Sequence, residues 1–164
     1  MQRKTSFKIL EMPDPFSFLS IPKDLVCEFF AVFSRFEFAL KESGYVKGEG
    51  RASPDWTRFA REFTLEVAPD SPLAISMGYL LAYPPQVQSP NLKWKDVALQ
   101  GATDRAKALE SVQRVRNNLF HGGKHPPNSA PGRDTELVTA SLAVLYAVLE
   151  QNDQIRSDYE TVAF

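Results

Sequence analysis

The chain has 164 residues, which is the usual size of a single domain and enough to bury a core. A formal net charge of −1 and an ordinary composition exclude a protein that binds polyanions through overall charge. The single cysteine, Cys27, excludes an intramolecular disulfide, and we expect a cytoplasmic protein without membrane contact because secretory and membrane-spanning patterns are missing.

The first predicted helix follows an irregular arm. Prolines interrupt residues 1–22, and a helical pattern then extends from Lys23 to about Lys41, before Gly44. Its apolar stripe consists of Val26, Phe29, Phe30, Phe33, Phe36 and Leu40. This wide stripe predicts a helix that packs one face against a core.

Two further helices are predicted from serine–proline pairs. "SPDWTRFAREF" begins with Ser53 as the expected N-cap and predicts a helix to about Leu65. "SPLAISMGYLLAY" repeats the pattern with Ser71 as the cap. The segment "PPQVQSPNLKWKD", residues 84–96, predicts a loop.

The last two predicted helices carry the motif and the most apolar segment. Residues 102–121 predict a fourth helix with Thr103 as its cap and a glycine pair at its end. Residues 133–152 are apolar over most of the helical circumference, which favours burial among neighbours or at a subunit interface.

The predicted fold class is all-α, a bundle of about five helices, because no stretch of the sequence alternates apolar and polar residues as a strand does. The helical domain spans residues 23–152. The polar segment 153–164 is expected to be a tail, with a frayed terminus favoured over a contact with a partner.

The segment "RVRNNLFHGGKH", residues 114–125, combines groups that act on phosphodiesters. Asn117 and His121 lie about 40° apart on a helix, and Arg116 lies on the flank. Arginine pairs with phosphate oxygens, histidine exchanges a proton near neutral pH, and asparagine can orient either the histidine or the substrate. The alternative from the residues alone is a capped helix end with a solvated arginine.

These are the types of side chain that the cleavage of RNA without a metal requires. A base takes the 2′-hydroxyl proton, the oxygen attacks phosphorus, and arginine offsets the developing negative charge. Two proton transfers need two groups. A symmetric dimer would supply a histidine from each chain.

The stretch "RNNLFHGGK", residues 116–124, resembles the signature of HEPN domains, in which an arginine and a polar residue precede a histidine at a helix end. The helix containing "SRFEFALK", the "WTRFARE" helix and the apolar final helix are also similar to bacterial HEPN proteins. The resemblance implies an all-α homodimer with endoribonuclease activity and no cofactor. It implies catalytic roles for Arg116, Asn117 and His121.

The resemblance also implies a supporting polar residue on an early helix, for which Glu37 is the first candidate and Arg35 the second. A surface or interhelical salt bridge is the alternative for both. RNA and a second copy are the expected partners, with an antitoxin or regulatory protein as a further one. A toxin or phage-defence effector is the implied setting.

Other residues are candidates for RNA contact. Residues 101–133 contain six basic and two acidic residues, a formal +4, and Arg114 and Lys124 flank the motif within this segment. Trp94 lies between two lysines, a pattern that can stack single-stranded RNA, although packing a loop onto the core is the alternative.

Three hypotheses remain open from the sequence: a HEPN endoribonuclease, a non-catalytic module that binds nucleotide or protein, and a plain structural bundle. A metal site is not expected. His121 and His125 are four apart, but the glycines between them break the helix, and no carboxylate has ligand spacing.

Overall fold

A computed structural model describes residues 14, 16–17, 19–120 and 130–161. The described residues are 60% helical and form six helices and two small sheets. The helices are α1 (Lys23–Glu42), α2 (Trp56–Glu62), α3 (Pro72–Ala82), α4 (Asp104–Phe120), α5 (Arg133–Gln151) and α6 (Asp153–Glu160). The strands are β1 (Val46–Lys47), β2 (Ser53–Pro54), β3 (Val87–Gln88) and β4 (Trp94–Lys95). The prediction of a mostly helical protein is confirmed for the described residues, which contain one helix more than expected and two small sheets.

The apolar face of each long helix meets a common core. α5 packs against α1, α3, α4 and α6, which explains why it is apolar over most of its circumference. Every one of the first five helices contributes a fully buried side chain to this core: Phe36, Phe59, Leu80, Val112 and Val144. The most apolar helix therefore lies at the centre of the bundle.

An aromatic layer joins α1 to α2. The Trp56 indole stacks on Phe33 and Phe36, with ring centroids 5.6 and 5.4 Å apart. Phe59 packs edge-on against Phe36 at 6.2 Å. Because Trp56 opens α2, this layer fixes the position of that short helix on α1.

Several predicted helix boundaries are confirmed. α1 begins at Lys23, and Gly44 follows its end in the left-handed conformation, at φ 87°, where a side chain would be strained. Ser71 caps α3 by accepting a bond from the Ala74 amide at 3.1 Å. Thr103 accepts one from the Ala106 amide at 3.2 Å, as expected for the cap of α4.

The predicted start of the second helix was wrong. Ser53 and Pro54 form β2, which pairs antiparallel with β1 in the register Val46–Pro54. The helix begins two residues later, and Asp55 caps it by accepting a bond from the Arg58 amide at 3.1 Å. A residue that pairs with a strand cannot also start a helix, so the pairing displaced the cap.

The predicted loop at residues 84–96 contains the hairpin of β3 and β4, with Gln88 opposite Trp94. Neither sheet was predicted, because strands of two residues are too short to alternate visibly. The predicted polar tail was also wrong over residues 153–160, which form α6. Asn152 caps this helix through the Ile155 amide, and the Ile155 side chain is fully buried.

Candidate functional site

Several contacts with α1 and α4 hold the guanidinium of Arg116, which lies one turn before the end of α4. Nη1 donates to Oδ1 of Asn117 at 3.0 Å, and Nη2 lies 3.9 Å from Oε2 of Glu37. The guanidinium carbon lies 5.5 Å from the ring centroid of Phe33 and 5.2 Å from that of Phe120. About a third of the side chain, 35%, remains exposed. The arginine is thus positioned, and part of it can meet a ligand.

Glu37 joins three helices at this point. From α1, its Oε1 accepts a bond from the indole nitrogen of Trp56 at 3.0 Å, and its Oε2 faces Arg116. The carboxylate is half-buried, which strengthens both interactions relative to a surface pair. The structure therefore brings Glu37 next to Arg116, as the sequence analysis expected of a supporting residue. The geometry is also that of an interhelical ion pair, so its role in a reaction stays a prediction.

Asn117 is exposed and directs its carbonyl oxygen at Arg116. An exposed amide in this orientation can offer its nitrogen to a ligand while it holds the arginine. His121 follows Phe120 directly in the chain. His121 and Lys124 lie outside the described residues, as does His125, so their proposed roles stay predictions.

Arg114 was expected to contact RNA, and the structure gives it other partners. It is only 11% exposed, and it donates to the carbonyl oxygens of Val97 and Ala98. It also pairs with Glu110 at 2.6 Å. These bonds fasten the segment before α4 onto the helix, so its donors are directed at the protein. A contact of Arg114 with RNA therefore stays a prediction, with these donors already engaged by the protein.

Arg35 also lies apart from the motif. Residues two apart on a helix point about 160° away from each other, so Arg35 and Glu37 occupy opposite faces of α1. Arg35 donates to the backbone oxygen of Tyr159 at 2.6 Å and lies over its ring at 4.6 Å. It fastens α6 to α1 and is not within the group around Arg116, contrary to its prediction as a second supporting residue.

Trp94 lies in β4, half-buried, on the hairpin that follows α3. The hairpin is anchored to α4 by Asn118, whose Nδ2 donates to the Gln86 carbonyl at 2.8 Å. Asn118 and Arg116 point about 160° apart on the helix. The hairpin is therefore fastened to the side of α4 away from Arg116, and a contact of Trp94 with RNA stays a prediction.

The sequence analysis missed two hollows. An apolar hollow of about 300 Å³ adjoins Arg116 and is lined by Phe16, Val26, Cys27, Phe30, Leu119 and Phe120. A second cleft, of about 520 Å³, lies between α2 and α4. Both form between segments remote in sequence, and no local pattern predicts them.

Metal and membrane features are missing from the described part of the chain. No group of three His, Cys, Asp or Glu side chains there could hold a metal ion. No helix among the described residues is both long and apolar enough to cross a bilayer.

Comparison with known proteins gives no assignment: no family model, no curated protein and no solved structure significantly matches the chain.

Proposed function

We propose that the protein is a metal-independent endoribonuclease of the HEPN type, acting as a homodimer. Arg116 stabilises the charge that develops on phosphate, His121 transfers the proton, and Asn117 orients the arginine. The observation that carries the proposal is the Arg116 guanidinium, fixed by Asn117 and Glu37 with 35% of its side chain still exposed. A cation that is positioned before substrate arrives costs no reorganisation during the reaction.

The chemistry divides between two chains. The 2′-hydroxyl loses its proton to one imidazole and attacks phosphorus, and the 5′-oxygen leaves with a proton from the other imidazole. The products carry a 2′,3′-cyclic phosphate and a 5′-hydroxyl. Because each chain offers one motif histidine, the proposal requires a dimer that brings two motifs together.

An exposed aromatic pair beside Arg116 supports this dimer. Phe30 is 51% exposed and Phe120 is 46% exposed, and their ring centroids are 5.2 Å apart. Large apolar side chains exposed together favour a contact surface. Since Phe120 also touches Arg116, a second copy packed on this surface would lie beside the motif.

The proposed setting is a toxin or phage-defence effector that an inhibitory partner or a trigger controls. An unrestrained nuclease would damage the RNA of its own cell, which is the reason to expect such control.

The test is cleavage of RNA in excess EDTA by the wild-type protein and by Arg116→Ala and His121→Ala. We expect each variant to lose at least about 100-fold in rate, because each removes a transition-state interaction. Arg156→Ala is the control, since it removes an exposed arginine on α6 whose ion pair within the described residues is with Asp153 at 2.6 Å. Undiminished cleavage by either motif variant would remove the proposed roles.

A second candidate is a non-catalytic module that binds nucleotide or a partner protein. The ion pair with Glu37 and the two aromatic contacts of Arg116 support it, because they stabilise this surface whether or not a reaction takes place there. Binding of RNA with no cyclic phosphate product after prolonged incubation would select this alternative.

A further inference from the structure

The cleft between α2 and α4 has the size and the lining of a binding site. Its volume of about 520 Å³ lies within the range of small-molecule pockets. Trp56, Ala60 and Phe63 supply an apolar wall, and Arg61 and Arg105 supply positive charge. An aromatic wall together with guanidinium groups suits a ligand that is planar and anionic.

The cleft has a net positive charge, because the one acidic side chain of its described lining is paired with an arginine outside that lining. Glu110 is the one acidic side chain among its described lining residues. Its carboxylate is neutralised by Arg114 at 2.6 Å and by the amides of Gln100 and Gly101 at 2.6 and 3.1 Å. It therefore offers little repulsion to an incoming anion.

The two arginines of the cleft are available. Arg105 is half-buried and makes no hydrogen bond or ion pair with the residues that the structure describes. Arg61 pairs with the adjacent Glu62 at 3.2 Å, and 71% of its side chain is exposed. A pair of this kind contributes little and is easily exchanged for a phosphate.

The face of α4 that lines the cleft extends towards the motif. Ala106, Glu110 and Gln113 line the cleft, and Asn117 is the next residue of this stripe, at spacings of four, three and four. Arg105 and Arg116 lie eleven residues apart, which places them about 20° apart around the helix and about 16 Å apart along it. A short run of single-stranded RNA spans such a distance.

Trp56 links the two regions directly. It lines the cleft, and its indole nitrogen donates to the Glu37 carboxylate that faces Arg116. The lining of the cleft is therefore connected through a buried side chain to the carboxylate that faces Arg116.

We propose that the cleft binds a nucleotide of the RNA strand that lies a few nucleotides away from the phosphodiester at Arg116. Arg105 and Arg61 contact its phosphate, and the partly exposed wall of Ala60 and Phe63 receives its base. The inference rests on the proposed function for the identity of the strand, and it makes single-stranded RNA the substrate class. A base held in a duplex is already stacked and paired, so it cannot enter a cleft between two helices.

The test measures binding of a single-stranded 2′-O-methyl RNA of about ten nucleotides, a length within the site size of single-strand-binding folds. This probe lacks the attacking hydroxyl and cannot be cut, so binding is separated from cleavage. We expect Arg105→Ala to bind it about tenfold more weakly, because a charge-assisted bond is lost. Fluorescence anisotropy gives the dissociation constants.

Thr57→Glu provides a second variant that should fold. Thr57 is exposed in the first turn of α2, where an acidic side chain favours the helix dipole. Its carboxylate would repel phosphate from the cleft, and we expect a loss of similar size. Arg156→Ala is the control, and all three variants lower the net charge by one unit. We expect the control to change binding less than about twofold.

The outcomes separate this proposal from the nuclease. Weaker binding by both cleft variants with an unchanged control supports the subsite, even if the wild-type protein cuts nothing. Equal effects in all three variants, or none, overturn it, even if the wild-type protein cleaves RNA. Titration with AMP distinguishes the source of the nucleotide: binding of AMP that depends on Arg105, without binding of the RNA, would also overturn the proposal.

Discussion

At the scale of single residues, Glu37 determines how the motif helix meets the rest of the protein. One carboxylate oxygen accepts the hydrogen bond of the buried Trp56 indole, and the other faces Arg116. Because this half-buried carboxylate has partners on two other helices, it fixes the position of α4 relative to both α1 and α2.

Two substitutions of Glu37 separate these contributions. We expect Glu37→Ala to lower the free energy of unfolding by about 1–3 kcal/mol, because the indole N–H of Trp56 loses its partner. Glu37→Gln keeps an oxygen acceptor and should cost less than about 1 kcal/mol. Urea denaturation measures both values. Equal losses would contradict the role of the indole bond. If Glu37 also orients Arg116, the Gln variant should slow RNA cleavage although it folds normally.

The dependence of stability on pH above about 10 tests the raised pKa of Tyr146. Burial, and then a bond that its hydroxyl donates to the Glu28 carboxylate at 2.8 Å, raises the pKa of Tyr146 from 10.0 to about 12. The folded state holds this proton more tightly than the unfolded chain does. The resulting stabilisation is complete below about pH 10 and is lost as the pH rises to about 12.

We expect the near-ultraviolet absorbance of tyrosinate to show one group that titrates near 12, and this step should vanish in Tyr146→Phe. Glu28→Gln should shift the step to lower pH, because the carboxylate charge no longer opposes ionisation. Tyr146 is 39% exposed, so the effect on stability is small, and the spectroscopic titration is the sharper measurement. A step that persists in the Phe variant would contradict the assignment.

At the scale of elements, α6 is part of the fold although its composition is polar. Ile155 is its one fully buried residue, and Arg35 on α1 holds the Tyr159 backbone at 2.6 Å. Ser43, just beyond α1, donates to Asp158 at 2.6 Å. One apolar anchor and two polar bonds are enough to fix two turns of helix against the bundle.

The anchor gives a prediction with an internal control. We expect Ile155→Ala to lower the free energy of unfolding by about 2–4 kcal/mol, because it leaves a cavity under α6. Gln154→Ala changes an exposed neighbour and should cost less than about 0.5 kcal/mol. Urea denaturation compares the two. Similar values would mean that α6 does not pack as described.

At the scale of the whole molecule, the proposed mechanism depends on two chains meeting at the surface around Phe30 and Phe120. Sedimentation of the wild-type protein should give a mass about twice the 18.4 kDa of one chain. Phe30→Asp places a charge in that surface and should yield a monomer that no longer cleaves RNA. Ile75→Asp is the control, since Ile75 is 69% exposed on α3. A wild-type monomer with nuclease activity would contradict the composite site.

The sequence by itself determined the helical class and the main helices, because helix periodicity and caps are local. Ser71, Thr103 and Gly44 act on groups a few residues away, and the boundaries that they predicted were confirmed. The proximity of Glu37 to the motif was also anticipated, although from the family resemblance and not from the residues alone.

Only the tertiary structure decided which polar side chains remain available. Arg35, Arg105, Arg114 and Arg116 are indistinguishable as isolated cations. Two of them are directed at backbone oxygens brought from remote segments, one is held beside a carboxylate, and one lines a cleft without a described partner. The displaced cap of α2, the α6 helix and the cleft have the same origin. Each depends on contacts between segments far apart in the chain, and the free energy of such contacts overrides local preference.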